Sequence, residues 1–454
     1  MIVMKFGGTS VESAEAIDRV ASIVRDRLAL RPIVVVSAMG KTTNKLLAIA
    51  ADAVAGQREM ALASLNALHE FHQRQATGIY VDDEISAHFS ELAELVKGLA
   101  VMGEMTPRAT DTVSAFGERL SSIIVTARFR KLGLDAVHVD ARNVIVTDRR
   151  HTQAAPIFDQ TFARLSATIP TLAEKHVVVM GGFIAATEDG VTSTLGRGGS
   201  DYTASIVAAG IGASEIQIWT DVDGMLTSDP TVLKNVYRVK HCSFAEAAEL
   251  AYFGAKVLHP ATVLPAIEKN IPVRILNSRR PEVAGTLITA EAPKSSSPIR
   301  AIACKRNITL VNIVSSRMLM AHGFLRRVFE IFDRHETSVD MLATSEVSVS
   351  LTIDNTSALD AVRKEIEEFA EVTVEHDQAI VCLVGDNIRH TPGVAARAFT
   401  ALNGLKIRMI SEGASQLNIG LVLAAGDLTR AVESLHREFF ALSETEQPDA
   451  EAFA

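Results

Sequence analysis

Thr194-Leu-Gly-Arg-Gly-Gly-Ser-Asp-Tyr-Thr-Ala-Ser205 packs three glycines into four positions, with Arg197 among them. Ser200-Asp201 then reads as a helix start and Ile206-Val207-Ala208-Ala209 as its apolar continuation. A glycine turn feeding a helix exposes backbone N–H groups and the positive end of the helix dipole, which suits an anion. The Arg197 guanidinium matches carboxylate or phosphate with two parallel donors. The plain alternative is a loop whose glycines only turn the chain. Two further loops argue against it. Residues 2–6 read as a short apolar strand, followed by Gly7-Gly8-Thr9-Ser10 and an amphipathic helix over 14–29. Lys5, at the end of that strand, can set a point charge on a phosphate. No G-x-x-x-x-G-K-[ST] pattern occurs there, so this is not a Walker loop. Residues 33–37 read as a buried strand ending in Ser37-Ala-Met-Gly-Lys-Thr-Thr-Asn44, again a polar loop before a helix. Three such loops at strand ends are what an open α/β sheet offers a ligand.

The chain has 454 residues, a formal net charge of −9, 48% hydrophobic and 22% charged residues. That length predicts several domains, and that composition a soluble chain with a sizeable core. The negative balance argues against nucleic acid and against an anionic membrane surface as partners. Apolar runs are strand-length, so no membrane span is expected, and Met1-Ile-Val-Met-Lys-Phe6 lacks the layout of a signal peptide. Cys242, Cys304 and Cys382 are too scattered for a disulfide framework or a metal cluster. They read as buried small hydrophobes in a reducing cytoplasm.

Residues 46–98 read as a helical insert and 112–132 as a helix containing Phe116-Gly-Glu-Arg-Leu-Ser121. Strands are expected at 136–139, 176–180, 215–219 and 273–276, with Thr220-Asp221 ending the third. Residues 1–290 thus read as one α/β domain with helices on both sheet faces. Residues 291–298 are the clearest linker, with two prolines, three serines and no apolar period. Beyond it, 305–377 follow the order β-α-β-β-α-β of a ferredoxin-like unit. A second pass over 378–445 lacks one strand, and the unused apolar stretch 299–304 is expected to complete it, nesting the first unit inside the second. Residues 446–454 are polar and disordered in composition.

Lys5, Gly7, Gly8, Glu118, Arg197, Asp201, Asp221 and Lys256 are the catalytic candidates. Basic residues in glycine loops suit phosphoryl transfer, which is mostly positioning and charge neutralisation. Neither a nucleophile elbow nor a metal-ligand motif occurs. An acceptor that is already anionic needs no general base. It needs cations, which Lys5, Arg197, Lys256 and a nucleotide-bound Mg²⁺ can supply.

Lys5-Phe-Gly-Gly-Thr-Ser10, Phe116-Gly-Glu-Arg-Leu-Ser121, Thr194-Leu-Gly-Arg-Gly-Gly-Ser-Asp201 and Phe253-Gly-Ala-Lys-Val-Leu-His-Pro260 together resemble the aspartate kinases over nearly the whole chain. The resemblance implies the amino-acid-kinase fold followed by two ACT-type units. It also implies ATP-dependent phosphorylation of the L-aspartate side chain to 4-phospho-L-aspartate, the first step toward lysine, threonine and methionine. It places Lys5 on the transferring phosphate, and Phe6, Gly7 and Gly8 along the nucleotide phosphates. Arg197 falls on the aspartate α-carboxylate and Glu118 on its α-amino group. Thr43, Asn44, Ser200 and Asp201 fall around the substrate. Thr220 and Asp221 fall on adenosine, and Lys256, Val257 and Leu258 along the nucleotide. Some members carry Tyr where this chain has Leu226 and Arg where it has Thr231.

Met318-Leu-Met-Ala-His-Gly-Phe-Leu325 and Ser338-Val-Asp-Met-Leu-Ala-Thr-Ser-Glu-Val347 are similar to the effector segments of lysine-inhibited members. The resemblance therefore implies effector contacts at Met318, Gly323, Phe324, Leu325, Ser338, Val339, Asp340, Ser345 and Glu346. Asp340 and Glu346 can pair with ammonium groups, and the Gly323 turn can take a carboxylate. Further implications are a homodimer or homotetramer through the ACT units and a monofunctional enzyme with no homoserine dehydrogenase part. Another amino-acid kinase of the same fold, or a catalytically silent amino-acid-sensing subunit, are the competing readings.

Overall fold

The structure is a computed structural model, and it describes residues 1–254, 260–293, 297–315, 322–413 and 415–440. The chain forms two compact units, Met1–Met225 with Leu258–Ala292, and Leu226–Val257 with Pro293–Ala454.

The first unit opens with β1 (Ile2–Phe6), α1 (Ala14–Arg25) and β2 (Pro32–Val36). Ser13 caps α1 by accepting from Ala16 N at 3.2 Å, and Ile17, Val20, Ala21 and Val24 put its apolar stripe in the core. The insert expected over 46–98 is three helices, α2 (Thr42–Val54), α3 (Arg58–Gln75) and α4 (Asp82–Met102). Gly56 (φ +80°) and Gly78 (φ +76°) mark the breaks, where a left-handed residue ends a helix without strain. The helix expected over 112–132 is likewise divided, into α5 (Pro107–Ser114) and α6 (Phe116–Lys131).

After β3 (Ala136–Val139), β4 (Val146–Thr147), α7 (Phe158–Ala173) and β5 (Val177–Gly181) come β6 (Ile184–Thr187) and β7 (Thr192–Thr194). β4, β6 and β7 form a small separate sheet that the sequence reading did not anticipate. Its one signal was Asp189-Gly190, a hairpin turn pair between two short strands. α8 (Gly199–Ile211) and β8 (Glu215–Thr220) follow. β9 (His241–Ser243) and α9 (Phe244–Tyr252) belong to the second unit, and α10 (Leu264–Glu268), β10 (Val273–Asn277) and β11 (Thr286–Thr289) return to the first. The main sheet of this unit runs β3-β5-β2-β1-β8-β10 in parallel, with β11 antiparallel beside β10. Every residue of β2 and β5 is buried, as expected for parallel strands covered on both faces. β1 lies centrally, so Lys5 emerges where neighbouring strands also end.

In the second unit β12 (Ala301–Val314) is one long strand, followed by α11 (Phe324–Arg334), β13 (Met341–Thr344), β14 (Ser348–Ile353), α12 (Leu359–Ile366) and β15 (Glu371–Val384). α13 (Val394–Ala401), β16 (Ile407–Glu412), β17 (Asn418–Ala424) and α14 (Leu428–Phe440) complete it. The six strands run β13-β14-β12-β15-β17-β16, all antiparallel. A bulge in the pairing with β15 divides β12 into two parts, at Asn307 (φ +58°). Before it, Ala301–Lys305 pair with Ile380–Val384, and Ile299 and Ile302 share a core with Val394, Leu421 and Leu435. After it, Val311 and Ile313 share another core with Val328, Phe332 and Val362.

Residues 226–257, expected to continue the stretch 1–290, cluster with this second unit. Val232 packs into the core around Ile302, and Glu246 on α9 makes a buried ion pair with Arg300 at 3.0 Å. Cys242 and Cys382 are buried, whereas Cys304, expected to be, is only half-buried. Burial pushes the Cys242 thiol up to about 12 and Cys304 to about 11, which makes both poor nucleophiles. The linker core 294–296 and the tail beyond 440 lie outside the described residues. Among the described residues, no helix is long and apolar enough to cross a membrane.

Candidate active site

The ends of β1, β2 and β5 and the start of α8 enclose a cavity of ≈ 450 Å³. Lys5, Gly8, Thr43, Asn44, Glu118, Arg197, Ser200 and Asp201 all line it, from segments nearly two hundred residues apart. The Lys5 ammonium sits 2.7 Å from Asp201 Oδ1, and both side chains are largely buried. Asp201 lies in the first turn of α8, where the helix dipole favours a negative charge.

Glu118 occupies the first turn of α6 and is 4% exposed. Its Oε1 accepts from Ala38 N at 3.1 Å, and its Oε2 has no hydrogen-bond partner. Burial pushes its carboxyl up to about 8, against the opposing pull of the backbone N–H bonds. A buried carboxyl oxygen left without a donor is costly unless a ligand supplies one. A Cβ on Gly117 would lie 2.8 Å from Ala38 Cβ and 3.2 Å from Thr43 Oγ1, so only glycine lets α6 come this close to the β2 loop.

Arg197 lies in the loop between Gly196 (φ +74°) and Gly198 (φ +72°), exposed and without an ion-pair partner among the described residues. The base of that loop is held by Asp111, which is fully buried. Asp111 accepts from Thr194 Oγ1 at 2.5 Å, from Thr152 N at 3.0 Å and bonds His151 Nδ1 at 2.8 Å. The sequence reading missed this anchor, because nothing in a lone Asp between polar neighbours marks it as buried. Ser37, Gly40 and Lys41 belong to the loop 37–44 expected to face a ligand, though not singled out as site residues; they line the cavity, as does Phe183, which was not expected there. Phe183 has φ +64°, a left-handed conformation that an aromatic residue adopts at a cost on the order of 1 kcal/mol.

Other expected contacts fall elsewhere. Phe6 is in the core, stacked on Trp219 with ring centroids 5.9 Å apart, so its side chain is unavailable to a nucleotide. Gly7 N–H already donates to Trp219 O at 3.1 Å, which leaves Gly8 as the glycine of the pair on the cavity. Thr220 and Asp221 end β8, next to β1, outside the cavity lining; Thr220 Oγ1 donates to Asp221 Oδ1 at 3.2 Å. Lys256, Val257 and Leu258 lie outside the described residues, as does Met318. Leu226 and Thr231 fall in the second unit, where Thr231 closes a turn on Asp229 at 2.8 Å.

The expected effector residues are gathered by α11, β13 and the turns beside them. Gly323 (φ +84°) starts α11, and Phe324 meets Phe369 edge-on at 5.6 Å. Leu325, Ser338, Ser345 and Glu346 are exposed, and Val339 packs against the core. Asp340, expected to meet an effector ammonium, instead meets the chain's own. Lys305 Nζ is 2.7 Å from Asp340 Oδ1 and 2.8 Å from Asp354 Oδ2. Asp340 Oδ2 has no hydrogen-bond partner, and burial raises the carboxyl's pKa despite Lys305.

A parallel sheet carrying glycine loops, convergent cations and a buried carboxyl at its strand ends is the equipment of a phosphotransferase acting on small charged molecules. Residues 1–277 match the amino acid kinase family, and residues 311–369 and 381–439 match the ACT domain. Aspartokinase 1, chloroplastic, from Arabidopsis thaliana is 39% identical over 455 residues, covering 96% of this chain and 80% of that protein. Lysine-sensitive aspartokinase 3 from Escherichia coli (strain K12) is 38% identical over 453 residues, covering 97% and 99%. The crystal structure of E. coli aspartokinase III in complex with aspartate and ADP superposes with a TM-score of 0.83 at 36% identity, covering 97% of this chain and 100% of that one. The chain belongs to the amino acid kinase family and, within it, to the aspartokinases.

Proposed function

We propose that the protein transfers the γ-phosphoryl group of ATP to the side-chain carboxylate of L-aspartate, giving 4-phospho-L-aspartate, the first step toward lysine, threonine and methionine. The observation that carries this reading is the half-satisfied Glu118 facing the same cavity as Arg197 and the Lys5–Asp201 pair. Glu118 takes the α-ammonium group and Arg197 the α-carboxylate, which fixes both ends of the amino acid and leaves its side chain directed at the nucleotide. Thr43, Asn44 and Ser200 supply polar contacts around it. Lys5 meets the transferring phosphoryl oxygens, and the nucleotide enters as its magnesium complex, so that metal arrives with the substrate. A side-chain carboxylate oxygen forms the new bond to the γ-phosphorus. The bond from that phosphorus to the β,γ-bridging oxygen breaks, and its electron pair leaves with ADP. The acceptor is already ionised, so no proton has to be removed from it.

The aspartate and ADP of the E. coli structure support this reading, and a second E. coli aspartokinase III structure, in complex with lysine and aspartate, supports lysine as the effector. That structure matches at a TM-score of 0.82 and 35% identity. An effector ammonium has to share or displace Lys305 at Asp340. A homodimer or homotetramer through the ACT units would cover the exposed apolar side chains of Leu342 and Val347.

The test is aspartate-dependent ADP formation, with the acyl phosphate trapped by hydroxylamine, with and without millimolar lysine. Hydroxamate that lysine suppresses supports both parts. Hydroxamate indifferent to lysine keeps the kinase and rejects the effector. Turnover only with another carboxylate overturns the substrate, and none at all favours a sensing subunit.

Arg197→Ala is expected to raise KM for aspartate about 10- to 100-fold while leaving KM for ATP within about threefold. Because Arg197 is exposed and makes no ion pair among the described residues, Tm should hardly move. Steady-state kinetics in both substrates check this, and a change confined to ATP would reassign Arg197.

A further inference from the structure

Five charged side chains line the cavity: Lys5, Lys41, Arg197, Glu118 and Asp201. Lys5 and Asp201 neutralise each other at 2.7 Å. In the reaction proposed above, Arg197 and Glu118 are matched to the two charges of the amino acid's α-carbon. The aspartate side-chain carboxylate and the γ-phosphate are then two anions that must come within bonding distance of each other. Beside Lys5 and the magnesium that the nucleotide brings, the cation not yet matched to a charge, among the described residues lining the cavity, is Lys41. It makes no ion pair among the described residues and its side chain is exposed.

Its position is set by the backbone on both sides of it. Ala38 N–H donates to Glu118 Oε1 at 3.1 Å, which ties this loop to the ammonium subsite. Gly40 N–H donates to Gly8 O at 3.0 Å, which ties the same loop to the glycine turn after β1. A Cβ on Gly8 would lie 2.8 Å from both Ala38 O and Gly40 O, so the two loops touch backbone to backbone. Thr42 Oγ1 closes the turn on Met39 O at 2.7 Å, immediately before α2 begins. One short segment therefore spans the acceptor and donor subsites, and Lys41 is its next residue, with a fixed backbone and a free ammonium.

We propose that Lys41 is a further catalytic residue, whose ammonium group binds the phosphoryl oxygens as they pass from the nucleotide to the aspartate carboxylate. Lys5 acts from the β1 side already ion-paired with Asp201; Lys41 acts from the β2 side with no ion-pair partner among the described residues. Its charge counts most when the five-coordinate phosphorus carries charge from both anions, so it lowers the barrier more than it tightens either substrate. This inference rests on the proposed reaction, and turnover by the unaltered protein tests that reaction separately.

The experiment compares the full-length protein with Lys41→Met, Lys41→Arg and Lys41→Cys in the hydroxamate assay. Lys41→Met should lower kcat about 100-fold and leave KM for aspartate and for ATP within about threefold. Lys41→Arg should recover part of kcat. Alkylating Lys41→Cys with bromoethylamine, which rebuilds an ammonium at nearly the same reach, should recover more. A kcat for Lys41→Met within about threefold of the parent overturns the proposal and leaves Lys41 a surface lysine. A rise confined to KM for aspartate also overturns it, and makes Lys41 a substrate-binding group. If Lys41→Met fails to fold, Lys41→Cys before and after alkylation decides: equal turnover refutes the role, and recovery upon alkylation supports it.

Discussion

Lys5→Met is expected to lower kcat by at least about 1,000-fold, with the protein still folded. Lys5 is the last but one residue of β1, which β2 and β8 hold in parallel register on either side, so its Cα cannot drift. Its ammonium is largely buried and 2.7 Å from Asp201 Oδ1. Removing it takes a fixed cation away from the transferring phosphoryl group and also leaves Asp201 as a lone anion in the path of the incoming phosphates. The second effect adds repulsion to lost attraction, which is why this substitution should exceed any other in the cavity. It also gives a control. Asp201→Asn placed on top of Lys5→Met removes the uncompensated anion, so it should restore thermal stability and weak ATP binding without restoring turnover. The checks are single-turnover kinetics with saturating ATP and a melting curve for each variant. A kcat within about tenfold of the parent for Lys5→Met would remove Lys5 from the chemistry.

Lys5, Gly8, Glu118, Arg197 and Asp201 were candidates from residue type and position, whereas Thr43, Asn44 and Ser200 came only with the resemblance to the aspartate kinases. Glycines followed by a helix start, a lysine at a strand end and an arginine between glycines carry their purpose in their residue types. All seven residues expected at the acceptor and the transferring group, Lys5, Thr43, Asn44, Glu118, Arg197, Ser200 and Asp201, line one cavity. What sequence could not supply was which atoms are already committed. Gly7 looked like a phosphate donor, but its N–H is used by Trp219 O. Asp340 looked like an ammonium receptor, but Lys305, thirty-five residues earlier, already bonds one of its oxygens. Asp111 looked like nothing, and anchors the loop of Arg197 through Thr194. Each of these depends on a partner distant in sequence, so no local pattern reports it.

The fold divides in the same way. The parallel strands of the first unit are near-continuous apolar runs, and the helices α1 and α11 have one apolar stripe, so both were legible from periodicity. The small sheet of β4, β6 and β7 was not, because its strands have two to four residues and carry threonine and serine where a buried strand is expected to carry valine. Residues 226–257 cluster with the second unit although they lie within the stretch 1–277 that matches the amino acid kinase family, and no local signal marks that clustering. That segment has no linker composition; it is held by the ion pair between Glu246 and Arg300, and by Glu249, whose two oxygens accept from Ser415 and Asn418 at 2.9 Å and 2.7 Å.

Glu118→Gln should make the unliganded protein more stable above neutral pH while lowering kcat/KM for aspartate at least about 100-fold. The two effects share one cause. Burial pushes the Glu118 carboxyl up to about 8 from its ordinary value of 4.5. A folded-state pKa above the unfolded one means that this group's contribution to stability is complete below pH 4.5 and is lost as pH rises to about 8. Across that window the loss is on the order of 5 kcal/mol. Glutamine keeps the acceptor for Ala38 N–H, never ionises, and so avoids the loss. Aspartate binding runs the other way, because its α-ammonium group needs Glu118 ionised. Below pH 8 binding must therefore release a proton, and the aspartate Kd of the parent should fall about 50-fold between pH 6 and pH 8. Glu118→Gln should bind weakly at every pH, with no such slope and no proton release. Calorimetric titrations in two buffers of different ionisation enthalpy read the proton directly, and melting curves at pH 6 and pH 8 read the stability. A parent Kd that is flat over this range would mean that Glu118 is already ionised in the empty cavity, or that it does not meet the ammonium group. Melting curves separate the two: if it is already ionised, Glu118→Gln raises Tm equally at both pH values, and if it never meets the substrate, the variant is more stable at pH 8 yet binds aspartate as the parent does.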